Sequence, residues 1–219
     1  MKYRSVFDII GPVMVGPSSS HTAGAVRIGR IAGRLFGKKI EKANIHFYGS
    51  FAKTYRGHAT DVAVLAGLMD LSTYDPRIPE AFDLADKAGF EYNFFEEKAL
   101  SKHPNTVQIE MFSGDTKGVV TGVSLGGGIV QITEVDGFPL KLSGDFPALL
   151  IFHQDIYGTI APVVTLLAEN QINVSHMEVS RLEKGYLALM AIETDQPVSE
   201  AIVAEMLKKP NIKRIVRLS

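Results

Sequence analysis

The order of helices and strands in the last third of the chain limits the fold more than any other feature of the sequence. Apolar residues recur at helix spacing from 158 to 170, whereas polar and apolar residues alternate from 172 to 180, as in a half-buried strand. The predicted elements are strand 148–153, helix 158–170, strand 172–180, strand 186–193, helix 199–207 and strand 212–218. This β-α-β-β-α-β order is that of the ferredoxin-like fold.

The same segment resembles an ACT domain, a small regulatory module. The resemblance lies in Asp155-Ile156-Tyr157-Gly158-Thr159-Ile160, between the first strand and the first helix, and in Asn170-Gln171-Ile172-Asn173-Val174. It implies that two copies pair edge to edge as a homodimer and that an amino acid binds near Asp155, Gly158 and Asn173. The edge strands of a sheet carry unpaired backbone N–H and C=O groups that can pair with another chain, which independently favours self-association. The alternative is that Gly158 only begins a helix and that the edges serve dimerisation alone.

The chain is predicted to divide near Gly144-Asp145-Phe146-Pro147 into domains 1–145 and 147–219. The first domain mixes the two element types, so the fold class is α/β (α+β). Its predicted helices are 22–36, 60–71 and 77–88, and its predicted strands are 42–48, 106–112, 117–124 and 129–135.

The chain contains no cysteine among its 219 residues. It therefore cannot form disulfides, use a thiol nucleophile or ligate an iron–sulfur cluster through thiolates. With 23 basic and 24 acidic residues, the chain has a formal net charge of −1, which gives no electrostatic reason to expect nucleic-acid binding. No apolar run approaches the ~20 residues that cross a membrane, and residues 1–10 show no secretion signal. A cytoplasmic protein without membrane contact is expected.

A polar string, Gly16-Pro17-Ser18-Ser19-Ser20-His21-Thr22, stands directly before the first predicted helix. The first N–H groups of a helix lack intrahelical partners, so such a string can bind an anion. Alternatively, one serine caps the helix and the rest is a solvated turn.

A second polar helix start follows at Gly57-His58-Ala59-Thr60-Asp61, with Thr60 or Asp61 near the N-cap. Two helix starts that each carry a histidine suggest a shared pocket for a small carboxylate. The helix dipole is expected to lower the pKa of a histidine there, which keeps the ring neutral and able to accept a proton.

A third candidate segment, Ser124-Leu125-Gly126-Gly127-Gly128, ends a predicted strand. Three glycines allow close approach of a ligand or another subunit, or they form only a joint or bulge. No dinucleotide fingerprint, Walker loop, His-Glu-x-x-His motif or nucleophile elbow is present. The missing elbow argues against a self-contained serine hydrolase.

Together with Tyr48-Gly49-Ser50, these three segments resemble the β portion of bacterial iron–sulfur-dependent L-serine dehydratases, and the ACT-like tail is similar to the two-chain type. The resemblance implies conversion of L-serine to pyruvate and ammonia, with a four-iron, four-sulfur cluster on a separate α subunit. The first domain is also similar to the allosteric substrate-binding domain of some phosphoglycerate dehydrogenases.

The resemblance also implies roles for the residues. His58 is expected to accept the Cα proton, and His21 to orient substrate with Ser18, Ser19, Ser20 and Thr22. Thr60 and Asp61 are expected to support His58 or to cap the helix, and Gly126, Gly127 and Gly128 to line the joint with the α subunit. One type of family member carries a second histidine where this chain has Ala59, so His58 alone must fill any base role. A purely regulatory amino-acid-binding subunit is the alternative function.

Overall fold

The computed structural model describes residues 13–218. Residues 1–10, in which no secretion signal is expected, lie outside the described residues. The chain forms two compact units, Met1–Asp136 and Gly137–Ser219.

The first unit is a mixed sheet with helices packed against it. Within the described residues its strands are β1 (Lys42–Tyr48), β2 (Glu91–Glu97), β3 (Asn105–Ser113), β4 (Thr116–Gly126) and β5 (Ile129–Val135), which pair in the order β2-β1-β3-β4-β5. Its helices are α1 (Gly24–Phe36), α2 (Gly49–Thr54), α3 (Thr60–Leu68) and α4 (Ala81–Lys87). Strands β1 and β2 run parallel, and the other neighbours run antiparallel. A π-type turn, Ser19–Ala23, leads directly into α1.

Helices α1 and α3 meet backbone to backbone. A Cβ added to Gly67 would lie 2.1 Å from the carbonyl oxygen of Val26, and one added to Gly29 would lie 2.3 Å from that of Val64. Only glycine fits at either position, because real Cβ atoms do not approach an oxygen so closely. The contact fixes the two helices against one another, and each of them follows one of the predicted histidine segments.

The second unit confirms the predicted ferredoxin-like order. Its elements are β6 (Phe138–Leu142), β7 (Ala148–Gln154), α5 (Ile160–Glu169), β8 (Val174–Arg181), β9 (Leu187–Thr194), α6 (Glu200–Leu207) and β10 (Ile212–Leu218). Strands β7 to β10 form an antiparallel sheet in the order β10-β7-β9-β8. The apolar core joins the sheet to both helices through Leu149, Ile192, Val163 and Met206.

Strand β6 precedes the predicted second domain and contacts β8 and β9. The backbone N–H and the hydroxyl of Ser143 donate to the buried Glu193 carboxylate at 2.9 and 2.7 Å. Lys141 N–H donates to Glu178, and the ring of Phe138 packs edge-on against Phe152. The two compact units divide between Asp136 and Gly137, whereas the sequence predicts a boundary at 145–147.

Candidate active site

The structure brings the two predicted histidine segments together. His21 lies in the π-type turn before α1, and His58 lies in the turn before α3. Their ring centroids are 4.8 Å apart, and the edge of Phe51 packs against His21 at 5.2 Å. The hydroxyl of Thr22 donates to the carbonyl oxygen of His58 at 3.3 Å, which ties the two turns to each other.

Both ring nitrogens of His21 have hydroxyl partners. Nδ1 lies 3.0 Å from Ser20 Oγ, and Nε2 lies 3.2 Å from Ser50 Oγ. Ser20 Oγ is in turn 3.3 Å from Ser18 Oγ. A hydroxyl can donate or accept, so the chain Ser18–Ser20–His21–Ser50 can hold either neutral form of the imidazole.

His58 differs from His21 in both exposure and bonding. Its side chain is exposed, and its ring makes no hydrogen bond with any residue from 13 to 218. The next residue, Ala59, is left-handed with φ 53°. This turn presents the imidazole of His58 outward, beside the engaged ring of His21.

The first polar string contains the predicted cap. Ser18 is the N-cap, and its Oγ accepts from the N–H of His21 at 3.1 Å. The half-buried Ser19 stands at the start of the π-type turn, and the buried Thr22 forms part of it. One serine therefore caps the turn, while Ser20 contacts the histidine.

Ser50 was missed as a site residue from the sequence. Tyr48-Gly49-Ser50 contributed to the resemblance, but nothing in its spacing linked Ser50 to His21, which is 29 residues earlier. The link arises because β1 ends at Tyr48 and α2 begins at Gly49. The N–H of Ser50 donates to the carbonyl oxygen of Pro104 at 2.7 Å, which anchors the start of α2.

Thr60 and Asp61 lie beside the site without contacting the His58 ring. The N-cap of α3 is Ala59, which provides no side-chain cap, so the predicted capping by Thr60 or Asp61 is wrong. The buried Thr60 hydroxyl has no partner among the described residues. Asp61 Oδ1 accepts from the N–H of Val62 at 2.9 Å, and burial raises the pKa of its carboxyl.

The glycine run forms a tight hairpin. Gly126 ends β4, and Gly127 and Gly128 connect it to β5 with φ values of 61° and 79°. Both values lie in the left-handed region that a two-residue type I′ turn requires. The carbonyl oxygen of Gly128 accepts from Arg27 Nη1 at 2.8 Å, so the hairpin is tied to α1.

The hairpin begins beside the histidine-bearing turn. A Cβ added to Gly24, the first residue of α1, would lie 2.2 Å from Ser124 Oγ. That hydroxyl is buried and has no partner among the described residues. The third candidate segment therefore lies at the same end of the unit as the other two.

Burial lowers the pKa of His21, and the nearby charge of His58 lowers it further. The direction agrees with the sequence prediction, but the cause differs. Desolvation disfavours the imidazolium, and two cationic rings this close would repel each other. The His21 ring is therefore held neutral near pH 7.

We expect an NMR titration of the isolated chain to give His21 a pKa below 6.5. In His58→Asn the His21 pKa should rise, since the second cause is removed while the burial remains. The Nε2 and Cε1 shifts of His21 would be followed against pH. A His21 pKa that is unchanged in His58→Asn would contradict the proximity of the two rings.

The predicted ACT ligand residues do not meet within one chain. The carboxylate of Asp155 already accepts from Arg181 Nη1 at 3.0 Å and from the N–H of Gly185 at 2.9 Å. Gly158 follows at φ 82°, with open space beside it. Asn173 lies at the opposite end of the sheet, where its amide donates to Asp195 at 2.7 Å.

The donor set of this chain does not fit an iron–sulfur cluster. The cluster needs thiolates, and the sequence has no cysteine. Within residues 13–218, no three histidine or carboxylate side chains are grouped to hold a metal ion. No helix in the same range is long and apolar enough to cross a membrane.

Comparisons with known proteins identify the family of this chain. The family model described as serine dehydratase beta chain matches residues 5–86, which contain both histidines, and the ACT domain model matches residues 148–211. The probable L-serine dehydratase beta chain of Bacillus subtilis is 53% identical over 221 residues, covering 100% of each chain.

Two further relatives agree with the resemblances seen in the sequence. The L-serine dehydratase beta chain of Peptoniphilus asaccharolyticus is 32% identical over 93% of this chain and 92% of its own. The D-3-phosphoglycerate dehydrogenase of Bacillus subtilis is 26% identical over 86% of this chain but only 36% of its own. Because the first two matches span essentially the whole length, the chain belongs to the serine dehydratase beta chain family.

Proposed function

We propose that this chain supplies substrate-binding and proton-transfer groups for the conversion of L-serine to pyruvate and ammonia, in an active site shared with an α subunit. The observation that carries the proposal is the 4.8 Å separation of the His21 and His58 rings, which come from two different helix starts. The names of the relatives support it, since a beta chain implies a partner chain.

The reaction requires that a base remove the proton from Cα of serine. His58 suits this role because its ring is exposed and its nitrogens are not engaged by described residues. An imidazole nitrogen with a free lone pair can accept a proton, as a general base must. The elimination product, aminoacrylate, tautomerises and hydrolyses to pyruvate and ammonia.

His21 suits a positioning role. Its two nitrogens are already bonded to Ser20 and Ser50, and its lowered pKa keeps the ring uncharged beside the base. The hydroxyls of Ser18, Ser19 and Ser20, at the start of a helical segment, would donate to the substrate carboxylate.

The four-iron, four-sulfur cluster that the resemblance implies would belong to the α subunit, because this chain has no thiolate to ligate it. The hairpin at Gly126–Gly128 is proposed to face that subunit. Its flanking residues Leu125 and Ile129 are 42% and 44% exposed, and burial of apolar surface favours association.

We further propose that the second unit pairs with a second copy through an exposed edge of its sheet. Strands β10 and β8 are the two edges, and β8 exposes Met177 and Val179. Such a pair would place Asp155 and Gly158 of one copy nearer to Asn173 of the other. A cytoplasmic location and a place in amino acid metabolism and gluconeogenesis complete the proposal.

The test is to produce this chain alone, the cysteine-bearing α candidate alone, and both together under anaerobic conditions. We expect this chain alone to be colourless, free of iron and sulfide, and without serine turnover. Serine-dependent pyruvate should appear only when both chains are present.

Two results would contradict the proposal. Turnover or stoichiometric iron in this chain alone would overturn the shared site. If the α chain alone turns over serine as fast as the pair, the purely regulatory function is correct instead. A Ser50→Ala variant of the pair should show a raised KM, because Ser50 helps to hold the His21 ring.

A further inference from the structure

Asn105, the first residue of β3, lies between two segments that contact the candidate active site. Its backbone pairs with Gly49 in an isolated antiparallel bridge. Gly49 directly precedes Ser50, whose Oγ lies 3.2 Å from Nε2 of His21. This pairing places Asn105 beside the start of α2, from which Ser50 contacts His21.

The side chain of Asn105 contacts the segment on the other side. Its Nδ2 donates to the carbonyl oxygen of Ser124 at 3.4 Å. Ser124 in turn lies against the π-type turn, because a Cβ added to Gly24 would be 2.2 Å from Ser124 Oγ and 3.6 Å from the carbonyl oxygen of Ser19. Asn105 therefore links the start of α2 to the end of β4.

This side chain stands at the end of an apolar sheet face. Side chains alternate along a strand, so Asn105 shares a face of the sheet with Val107, which is fully buried. Ser124 shares the same face with Gly122, where an added Cβ would lie 2.6 Å from Ile28 of α1. Asn105 and Ser124 are therefore polar side chains at the end of the face that α1 covers, next to the histidine-bearing turn.

The amide oxygen of Asn105 can be reached by a ligand. A carbonyl oxygen only accepts hydrogen bonds, so the contact with Ser124 requires that the amide nitrogen face it and that Oδ1 face away. Oδ1 makes no hydrogen bond within the part of the chain that the structure describes. The residue is half-buried, and Oδ1 is not one of the fully buried polar atoms that lack a partner. Solvent, and hence a substrate, has access to it.

We infer that Asn105 is a substrate-binding residue whose Oδ1 accepts a hydrogen bond from the α-ammonium group of serine. The assignment rests on the proposed function, in which serine is the substrate. The first polar string is proposed to bind the serine carboxylate and His58 to take the Cα proton, which leaves the ammonium in need of an acceptor. A neutral amide oxygen supplies one without adding negative charge. The ammonium then keeps its full positive charge, which makes the Cα proton more acidic.

The experiment measures competitive inhibition of the assembled two-chain enzyme by two analogues of serine. L-Alanine keeps the ammonium and the carboxylate but lacks the hydroxyl, whereas β-hydroxypropionate keeps the hydroxyl and the carboxylate but lacks the ammonium. Asn105→Ala should raise the inhibition constant of L-alanine by about tenfold to a hundredfold, the usual cost of losing a hydrogen bond to a charged group. The inhibition constant of β-hydroxypropionate should change by less than about threefold.

Two further variants separate substrate binding from a structural role. Asn105→Asp keeps an acceptor oxygen but loses the donor to Ser124, so inhibition by L-alanine should stay within about threefold of the parent enzyme. Asn93→Ala removes another amide, at an exposed position on β2, and should leave both inhibition constants unchanged. Thermal denaturation of each variant verifies that it is folded.

Several outcomes would overturn the role of Asn105. One is an unchanged inhibition constant for L-alanine in Asn105→Ala, and another is an equal change for both analogues. A loss in Asn105→Asp as large as that in Asn105→Ala would show that only the link between β3 and β4 matters. If Asp61→Asn weakens inhibition by L-alanine and Asn105→Ala does not, the ammonium binds at Asp61 instead.

His58→Asn, assayed in parallel, separates this inference from the proposed function. If His58→Asn abolishes turnover while Asn105→Ala leaves inhibition by L-alanine unchanged, only the role of Asn105 fails. If neither variant has an effect, the proposed function fails together with it.

Discussion

His58→Asn is expected to lower kcat of the assembled two-chain enzyme by about 10²–10⁴-fold, the usual cost of losing a well-placed general base. Asparagine keeps a similar size but cannot accept the Cα proton. The exposed position of His58 means that the substitution should leave folding intact. The measurements are kcat, KM and the exchange of the Cα proton of serine with solvent, at matched cluster content.

His21→Asn is the matched comparison. It removes the bonds to Ser20 and Ser50, so it should raise KM as well as lower kcat, because positioning acts on the ground state too. If His58→Asn keeps turnover and exchange while His21→Asn abolishes both, the two roles are reversed. If neither variant changes exchange, the base belongs to the α subunit.

Gly67→Ala should destabilise the chain by about 2–4 kcal/mol. Helix propensity alone predicts a gain of about 1 kcal/mol, since alanine favours helices. The added Cβ, however, would lie 2.1 Å from the carbonyl oxygen of Val26, and neither backbone can yield without moving a helix. A loss of stability in Gly67→Ala would therefore show that packing outweighs helix propensity, and a gain would show the opposite.

Urea denaturation of the isolated chain measures this effect. Gly57→Ala is the control, since its nearest neighbour would lie 3.7 Å from the new Cβ and the residue is exposed. The control should change stability by less than about 1 kcal/mol. A Gly67→Ala variant as stable as the control would show that α1 and α3 do not meet as described.

The elements with strong periodicity could be predicted from the sequence. Helix α1 carries an apolar face through Ile28, Ala32 and Leu35, and the strands of the second unit are rich in apolar residues. Three elements were missed for local reasons. Helix α2 has only six residues, β2 contains three glutamates, and β6 contains Pro139, which weakens a strand prediction.

The candidate site could be predicted only in part. Two polar helix starts indicated a shared pocket, and the structure brings His21 and His58 together. The contribution of Ser50 depends on how β1 runs into α2, which no local pattern reveals. The lowered pKa of His21 was expected from a helix dipole, but burial is its main cause, and burial follows from tertiary packing.

The contacts of β6 decide how the second unit should be produced as a recombinant fragment. A fragment cut at residue 147 would lose the N–H and the hydroxyl that Ser143 donates to Glu193, leaving a buried carboxylate without those partners. It would also uncover the ring of Phe152. Exposed apolar surface and an unsatisfied carboxylate both promote aggregation, which can be mistaken for specific dimerisation. A fragment that begins at Gly137 retains the contacts that Ser143 and Phe138 make.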